Sequence, residues 1–169
     1  LTKFKIEGRA DVEKLTSLPV VGDIPLADEK TGSIAVFENQ NNLMSETFRN
    51  VRTNLQFMLE NGKNVILVTS TISGEGKSFI SANLAISLSL LGKKVVIVGL
   101  DIRKPGLNKV FNIPKKEHGI TQYLTNTTAN LMDFVQPSDI NKNLFILPGG
   151  TVPPNPTELL ARGGLEKAI

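Results

Sequence analysis

The stretch TSTISGEGKSFISANLA, residues 69–85, decides the fold because a glycine-rich turn joins an apolar run to a helical pattern there. Gly74 and Gly76 let successive backbone N–H groups point towards one place, as a bound phosphate requires. Lys77 can then neutralise phosphate charge, and the Ser78 hydroxyl is a ligand for a divalent cation. The helix that follows contributes the positive end of its dipole. The stretch therefore predicts a phosphate-binding loop.

The loop departs at one position from the usual pattern of such loops, G-x-x-x-x-G-K-[ST]. Gly76, Lys77 and Ser78 match the end of the pattern, but Thr71 stands where its first glycine belongs. The alternative interpretation is a glycine-rich turn with a solvated lysine. Phosphate binding is favoured because a strand is predicted before the loop and a helix after it, as the pattern requires.

The elements around the loop predict an α/β fold with a mainly parallel sheet. Continuous apolar runs over 64–70, 93–101 and 143–150 are typical of strands buried on both faces. The helix predicted over 78–92 joins the first two strands, so we expect a right-handed crossover between parallel strands. The expected architecture is the doubly wound three-layer sandwich of P-loop nucleotide-binding proteins.

Shorter elements are predicted on either side of this unit. They are a helix over 11–18, a strand over 18–25, a helix from Ser45 to 59 with Ser45 as N-cap, helices over 119–124 and 129–136, and a helix from Pro156 with Asn155 as N-cap.

The composition of the 169-residue chain is that of an ordinary globular domain, with 40% hydrophobic and 21% charged residues. A net charge of +3 gives no reason to invoke nucleic acid as a partner. The chain has no cysteine, which excludes a disulfide framework and a cysteine-based metal site. No apolar run reaches the roughly 18 residues that a membrane-spanning helix needs.

A second group of polar residues follows the predicted strand 93–101. Asp101 comes directly after the apolar run, at the end of a strand where open α/β sheets bind ligands. Its carboxylate is suited to orient Mg²⁺ or to polarise an attacking hydroxyl, and the alternative is a loop or capping carboxylate. Arg103 and Lys104 either face phosphates or solvate the loop.

The two motifs together resemble those of the bacterial tyrosine kinases, which are P-loop proteins of the deviant Walker A group, related to MinD and ParA ATPases. GEGKS at 74–78 matches their Walker A, and VVIVGLDIR at 95–103 resembles their Walker A′, three apolar residues followed by D-x-D-x-R. KIEGRADVEKLTSLPVVGDIP at 5–25, SETFRNVRTNL at 45–55 and PGGTVPPNPTELL at 148–160 also agree with the family. The resemblance therefore spans nearly the whole chain.

The resemblance implies an ATP- and Mg²⁺-dependent protein-tyrosine autokinase that regulates capsular or exopolysaccharide synthesis and export. Its place would be the cytoplasmic face of the bacterial inner membrane, attached to a membrane polysaccharide co-polymerase region of the same protein. Such kinases form rings, commonly octamers, and phosphorylate the tyrosine-rich tail of a neighbouring subunit. On this basis residues 1–42 are a lead-in from the membrane-proximal region, and 43–169 are the N-terminal part of the kinase domain.

The resemblance also implies roles for particular residues. The nucleotide-binding residues are Ser73, Gly74, Glu75, Gly76, Lys77, Ser78 and Phe79. The catalytic residues are Lys77, Asp101 and Arg103, and the metal ligands are Ser78 and Asp101. Glu46, Arg49 and Arg52, the family's E-x-x-R-x-x-R, are the contact with the next subunit.

The sequence departs from the family in two respects. Gly99 occupies the position of the first Walker A′ aspartate, and Tyr123 is the only tyrosine. We expect the domain to be truncated before its Walker B motif and these residues to be inactive alone. Two other functions stay open, a MinD- or ParA-like ATPase switch and a nucleotide-binding scaffold with degenerate catalysis. Ile72, which replaces the signature lysine of the switch proteins, weakens the first, and Gly99 motivates the second.

Overall fold

The computed structural model describes residues 5–28, 31–59, 62, 64–114, 118–126 and 128–169. Their α-helices are Arg9–Leu15 (α1), Leu43–Met58 (α2), Lys77–Ser89 (α3), Leu107–Val110 (α4), Ile120–Thr125 (α5), Pro156–Ala161 (α6) and Leu165–Ala168 (α7). A 3₁₀ helix covers Leu131–Phe134, and the strands are Val95–Val98 (β1), Gln136–Pro137 (β2) and Leu144–Leu147 (β3). No helix of the described part has the length and apolar character needed to cross a bilayer.

The three strands form one sheet in the order β1-β3-β2. β1 pairs with β3 in parallel, from Val95 opposite Leu144 to Val98 opposite Leu147. The two-residue β2 adds an antiparallel edge to β3. The main ladder is therefore parallel, as the apolar runs over 93–101 and 143–150 predict.

Hydrophobic clusters cover both faces of the sheet. Ile97 of β1 packs with α2 and α3 on one face, together with Leu144 and Ile146 of β3. Leu147, the next residue of β3, belongs to the second cluster, with α5 and α6. Because successive strand residues point to opposite faces, the two clusters are separated by the sheet. This confirms the predicted three-layer α/β fold.

The predicted buried strand over 64–70 is wrong. No strand is assigned there, and in the described part of the chain β1 pairs only with β3. Val65 is 64% exposed and Leu67 is 79% exposed. An apolar run becomes a buried strand only when neighbouring strands pair with it and helices cover it. Among the described residues, no strand pairs with this run.

We expect the substitution Leu67→Ala to change the free energy of unfolding of this 169-residue chain by less than about 0.5 kcal/mol, because the removed atoms are already in contact with water. Leu144→Ala is the control, since Leu144 is fully buried and its truncation should cost about 2–5 kcal/mol. Urea unfolding of both variants measures the difference. A loss above 2 kcal/mol for Leu67→Ala would mean that 64–70 is buried after all.

Two smaller predictions also need correction. Residues 18–25 form no strand, although Val21 and Ile24 pack against the first cluster. A proline at each end removes backbone donors that a sheet needs. The helix predicted over 129–136 shrinks to the 3₁₀ helix Leu131–Phe134, because Gln136–Pro137 pairs with β3 instead.

The predicted helix caps are also revised. α2 begins before Ser45, because the Asn42 side-chain oxygen accepts the Ser45 N–H at 2.8 Å and so caps the helix. Asn155 does precede α6, but its side chain makes no hydrogen bond to the helix backbone and instead donates to Glu158 Oε2 at 3.3 Å. The helices predicted over 11–18, 78–92 and 119–124 are confirmed with shifted ends as α1, α3 and α5.

A buried asparagine connects residues 33–36 to α3. Asn83 is fully buried, and its side-chain oxygen accepts the N–H groups of Ala35 at 2.7 Å and Val36 at 3.0 Å. Its amide nitrogen donates to the carbonyls of Ser33 at 3.1 Å and Phe79 at 2.8 Å. We call this contact between Asn83 and residues 33–36 the lead-in latch. It ties the lead-in to the helix that begins at the glycine-rich loop.

Candidate functional site

The glycine-rich loop, residues 70–76, has a backbone that only glycine adopts readily at two positions. Gly74 and Gly76 have φ values of +95° and +92°, in the left-handed region. Gly76 is the residue before α3, and no side chain caps the helix there. The first-turn N–H groups of α3 therefore have no side-chain acceptor, and they can bind an anion.

The lysine of the loop is held by the residue at the loop's other end. Lys77 Nζ donates to Ser70 Oγ at 3.0 Å, and Ser70 Oγ donates to the Ile72 carbonyl at 2.8 Å. The ammonium group is thus fixed across the opening of the loop. Ser70 was not among the residues predicted from the sequence, although a hydroxyl at the end of the apolar run, seven residues before the lysine, was a usable signal.

Glu75 bonds to the backbone of the same loop. Its Oε2 accepts the Ile72 N–H at 3.0 Å. This bond holds the pKa of Glu75 below the ordinary glutamate value, helped by the Thr71 N–H, the Ser70 hydroxyl and the charge of Lys77. The backbone N–H groups of the loop therefore already bind one anionic oxygen, that of the chain's own side chain.

The lowered pKa of Glu75 predicts how the loop responds to acid. A depressed carboxyl pKa means that the bond to Ile72 is present above the ordinary glutamate pKa and is lost as the pH falls through the lower, folded-state value. In an NMR pH titration, we expect the chemical shift of the Ile72 amide proton to change at a pH below the ordinary range of glutamate pKa values. The change should be missing in Glu75→Gln, and a midpoint above the ordinary range would contradict the contact.

The other residues predicted to bind nucleotide lie around the start of α3. Ser73 and Ser78 are exposed. The Phe79 side chain packs in the core, with its ring centroid 5.9 Å from that of Phe48. Only the backbone N–H of Phe79, in the first turn of α3, is thus open to a phosphate. The phosphate contacts of these residues stay predictions.

The loop after β1 lies against Ser78. A Cβ placed on Gly106 would be 3.3 Å from Ser78 Oγ, so this glycine leaves the hydroxyl accessible. Asp101 is exposed on the same loop, and its Oδ1 accepts the Lys104 N–H at 3.1 Å. Arg103 points elsewhere, since its Nη2 donates to Thr157 Oγ1 of α6 at 3.2 Å.

The oxygen donors present suit a magnesium ion that also binds phosphate. Mg²⁺ usually takes one or two protein oxygens and completes its shell with phosphate oxygens and water. Ser78 and Asp101 offer a hydroxyl and a carboxylate of this kind. Among the described residues no group of three or more His, Asp and Glu is placed to hold a metal unaided. Ser78 and Asp101 supply the one or two protein oxygens that such an ion takes.

Gly99 lies where the packing leaves no room for a side chain. Its N–H continues the parallel ladder by donating to the Leu147 carbonyl at 2.9 Å. A Cβ on Gly99 would be 2.9 Å from the Gly149 nitrogen and 3.3 Å from Leu107 Cδ1. Backbone atoms and the Leu107 side chain thus fill the space that an aspartate side chain at position 99 would need.

The three charged residues predicted to contact another subunit divide into two kinds. Glu46 and Arg49 form an exposed ion pair, and Arg49 also donates to Asn41 Oδ1 at 2.9 Å. Arg52 instead donates to the Ser87 carbonyl of α3 at 2.8 Å, and burial lowers its pKa. Arg52 thus joins α2 to α3 within one chain, whereas Glu46 and Arg49 remain accessible.

Known proteins share both the sequence and the fold. Tyrosine-protein kinase YwqD of Bacillus subtilis is 38% identical over 120 residues, which are 70% of this chain and 49% of YwqD. The solved BceF tyrosine kinase domain superposes with a TM-score of 0.81 at 30% identity, over 96% of this chain and 69% of that domain. The crystal structure of the chimerical protein CapA2B2 also gives 0.81, at 34% identity, over 94% and 67%.

A family model described as ParA, NUBPL iron-transfer P-loop NTPase, matches residues 61–143. The matched region contains the glycine-rich loop and Asp101. Measured against the curated relatives, this chain spans between 19% and 54% of their length. The likeness therefore covers one part of longer proteins.

Proposed function

Because the chain belongs to the bacterial tyrosine kinase family, we propose that its protein binds ATP with Mg²⁺ and transfers the γ-phosphate to tyrosine. The single observation that carries this proposal is the loop itself. Two glycines with left-handed backbone conformation precede a helix N-terminus that no side chain caps. Lys77 is fixed across the opening of the loop by its bond to Ser70. Binding of a nucleoside triphosphate is the chemistry that this arrangement supports best.

The chain's own groups would bind and position the phosphates. The N–H groups of the loop and of the first turn of α3 donate to the phosphate oxygens, and Lys77 moves from Ser70 to balance the charge of the transferring group. Ser78 and Asp101 would hold a Mg²⁺ ion, which would supply positive charge to neutralise the triphosphate. Phosphoryl transfer needs chiefly such positioning and charge neutralisation.

Asp101 is the proposed acceptor for the tyrosine proton. It is exposed on the loop that approaches Ser78, and its second carboxylate oxygen has no hydrogen bond among the described residues. The tyrosine oxygen attacks the γ-phosphorus, the bond to the ADP oxygen breaks, and the tyrosine proton passes to the carboxylate. Arg103 lies two residues further and supplies positive charge beside the site once it leaves Thr157.

The setting of this activity is proposed from the resemblance. The protein would work at the cytoplasmic face of the inner membrane with a polysaccharide co-polymerase region, and one relative from Klebsiella pneumoniae is named for a cps region. The exposed Glu46–Arg49 pair supports a contact with the next subunit of a ring, whose tyrosine-rich tail would be the substrate. Arg52 contributes indirectly, through the packing of α2 on α3.

Gly99 favours a second candidate function, a nucleotide-binding scaffold without phosphotransfer. The first Walker A′ carboxylate is missing, and the packing around Gly99 leaves no space for a substitute. An ATPase switch of the ParA type is the third candidate, supported by the family match over 61–143.

The decisive experiment incubates the intact protein with ATP and Mg²⁺ and detects phosphotyrosine by antibody and mass spectrometry, beside a Lys77→Ala control. Phosphotyrosine that disappears in the control supports the kinase. Binding of ATP that depends on Lys77, without phosphotyrosine, favours the scaffold. Release of phosphate from ATP without phosphotyrosine favours the switch.

A further inference from the structure

The glycine-rich loop binds a carboxylate of its own. Glu75 Oε2 accepts the Ile72 N–H at 3.0 Å, in the first half of the loop, although Glu75 itself lies in the second half between two glycines. The carboxylate thus accepts a hydrogen bond from the backbone of the loop. The N–H groups in the first turn of α3 have no side-chain acceptor. An anionic oxygen on backbone N–H groups is also what a phosphate provides.

Glu75 would compete with a nucleotide through its negative charge and through the backbone N–H group that it already occupies. A triphosphate in the loop would lie within several ångströms of this carboxylate, and two negative groups at that distance repel each other. Lys77 does not cancel the charge by direct contact, because its Nζ bonds to Ser70 Oγ instead. The lysine and the carboxylate are therefore held by separate partners in the same loop.

The carboxylate is free to leave its position. Glu75 is exposed, and Gly74 and Gly76 on either side give the backbone unusual freedom to turn. Its hydrogen bond from the Ile72 N–H would be exchanged for water when the side chain swings outward. We propose that Glu75 is a built-in competitor of the nucleotide, which raises the nucleotide concentration at which the loop becomes occupied.

This inference rests on the nucleotide binding of the proposed function. It differs from a purely structural interpretation, in which the Glu75–Ile72 bond shapes the loop for its ligand. The two interpretations predict different affinities for one variant, tighter binding if Glu75 is a competitor and equal or weaker binding if it only shapes the loop. Glu75→Gln keeps a side-chain oxygen that can accept the Ile72 N–H and removes only the charge.

The test is calorimetric titration of the intact protein with the non-hydrolysable ATP analogue AMP-PNP and Mg²⁺. At low salt we expect Glu75→Gln to bind about three- to ten-fold more tightly than the wild type, a ratio that shrinks in 0.5 M salt because the repulsion is screened. Glu166→Gln, which removes the same charge from α7, is the matched control and should leave the affinity unchanged.

Lys77→Ala separates the inference from the proposed function. If the wild type binds in a Lys77-dependent way and Glu75→Gln binds equally or more weakly, the competitor is refuted and nucleotide binding stands. If neither protein binds the analogue, both the proposed nucleotide binding and the competitor role of Glu75 are refuted. Binding that is tighter in Glu75→Gln by the same factor at every salt concentration would overturn the electrostatic competition, since salt must screen a charge repulsion.

Discussion

Replacement of Asn83 by alanine should lower the free energy of unfolding by about 3–5 kcal/mol. The substitution leaves the N–H groups of Ala35 and Val36 without acceptors, and both residues are buried. Each buried donor without a partner costs about 1–3 kcal/mol, and the cavity left by the side chain adds to the loss. Since small domains are stable by only about 5–15 kcal/mol, this change removes a large share.

Urea unfolding of Asn83→Ala measures the loss, and amide hydrogen exchange at Ala35 and Val36 locates it. Asn54→Ala is the matched control, because the exposed Asn54 makes a single side-chain bond among the described residues, to the Val21 carbonyl at 2.7 Å. That control should lose no more than about 1 kcal/mol. Equal losses in the two variants would show that the lead-in latch contributes nothing beyond an ordinary surface bond.

Aspartate at position 99 should destabilise the protein by about 2–4 kcal/mol instead of restoring a missing ligand. The Cβ would lie 2.9 Å from the Gly149 nitrogen, which is backbone and cannot rotate away, and the carboxylate would follow it into packed surroundings. Overpacking alone costs about 1–3 kcal/mol, and partial burial of a charge adds to this. We therefore expect no gain in Mg²⁺ affinity from Gly99→Asp.

Thermal unfolding with and without Mg²⁺ and ATP checks this second expectation. Gly32→Asp is the control, because a Cβ on Gly32 meets no atom within 4 Å, and its stability should change by less than about 0.5 kcal/mol. A Gly99→Asp variant with wild-type stability and stronger Mg²⁺-dependent stabilisation would show that the loop after β1 opens to admit a second carboxylate.

The sequence predicted the elements whose signals are local. The apolar run that contains β1 and the proline at the start of α6 each identify their element from adjacent residues alone. The run over 64–70 has the same pattern as β1 but is not a strand. The difference lies in the partner strand, since β1 pairs with β3 and no described strand pairs with 64–70. A local pattern carries no information about such partners.

The site was predictable to a similar extent. The glycine-rich motif identified the loop, its lysine and the uncapped start of α3. The bonds of Ser70 and Glu75 within the loop depend on how the backbone folds back on itself, which the motif does not specify. The direction of Arg52 towards Ser87 was missed for a related reason, because spacing along α2 does not show which neighbour covers that face.

The lead-in latch also sets an order of events during synthesis. Val36 and Asn83 are 47 positions apart, so the ribosome completes the lead-in long before the acceptor that its two amides need. At about 5–20 residues per second, that interval is roughly 2–10 s. During it the amides of Ala35 and Val36 have no native acceptor. The lead-in therefore docks only after α3 is made, and its folding rate depends on a helix that it does not contain.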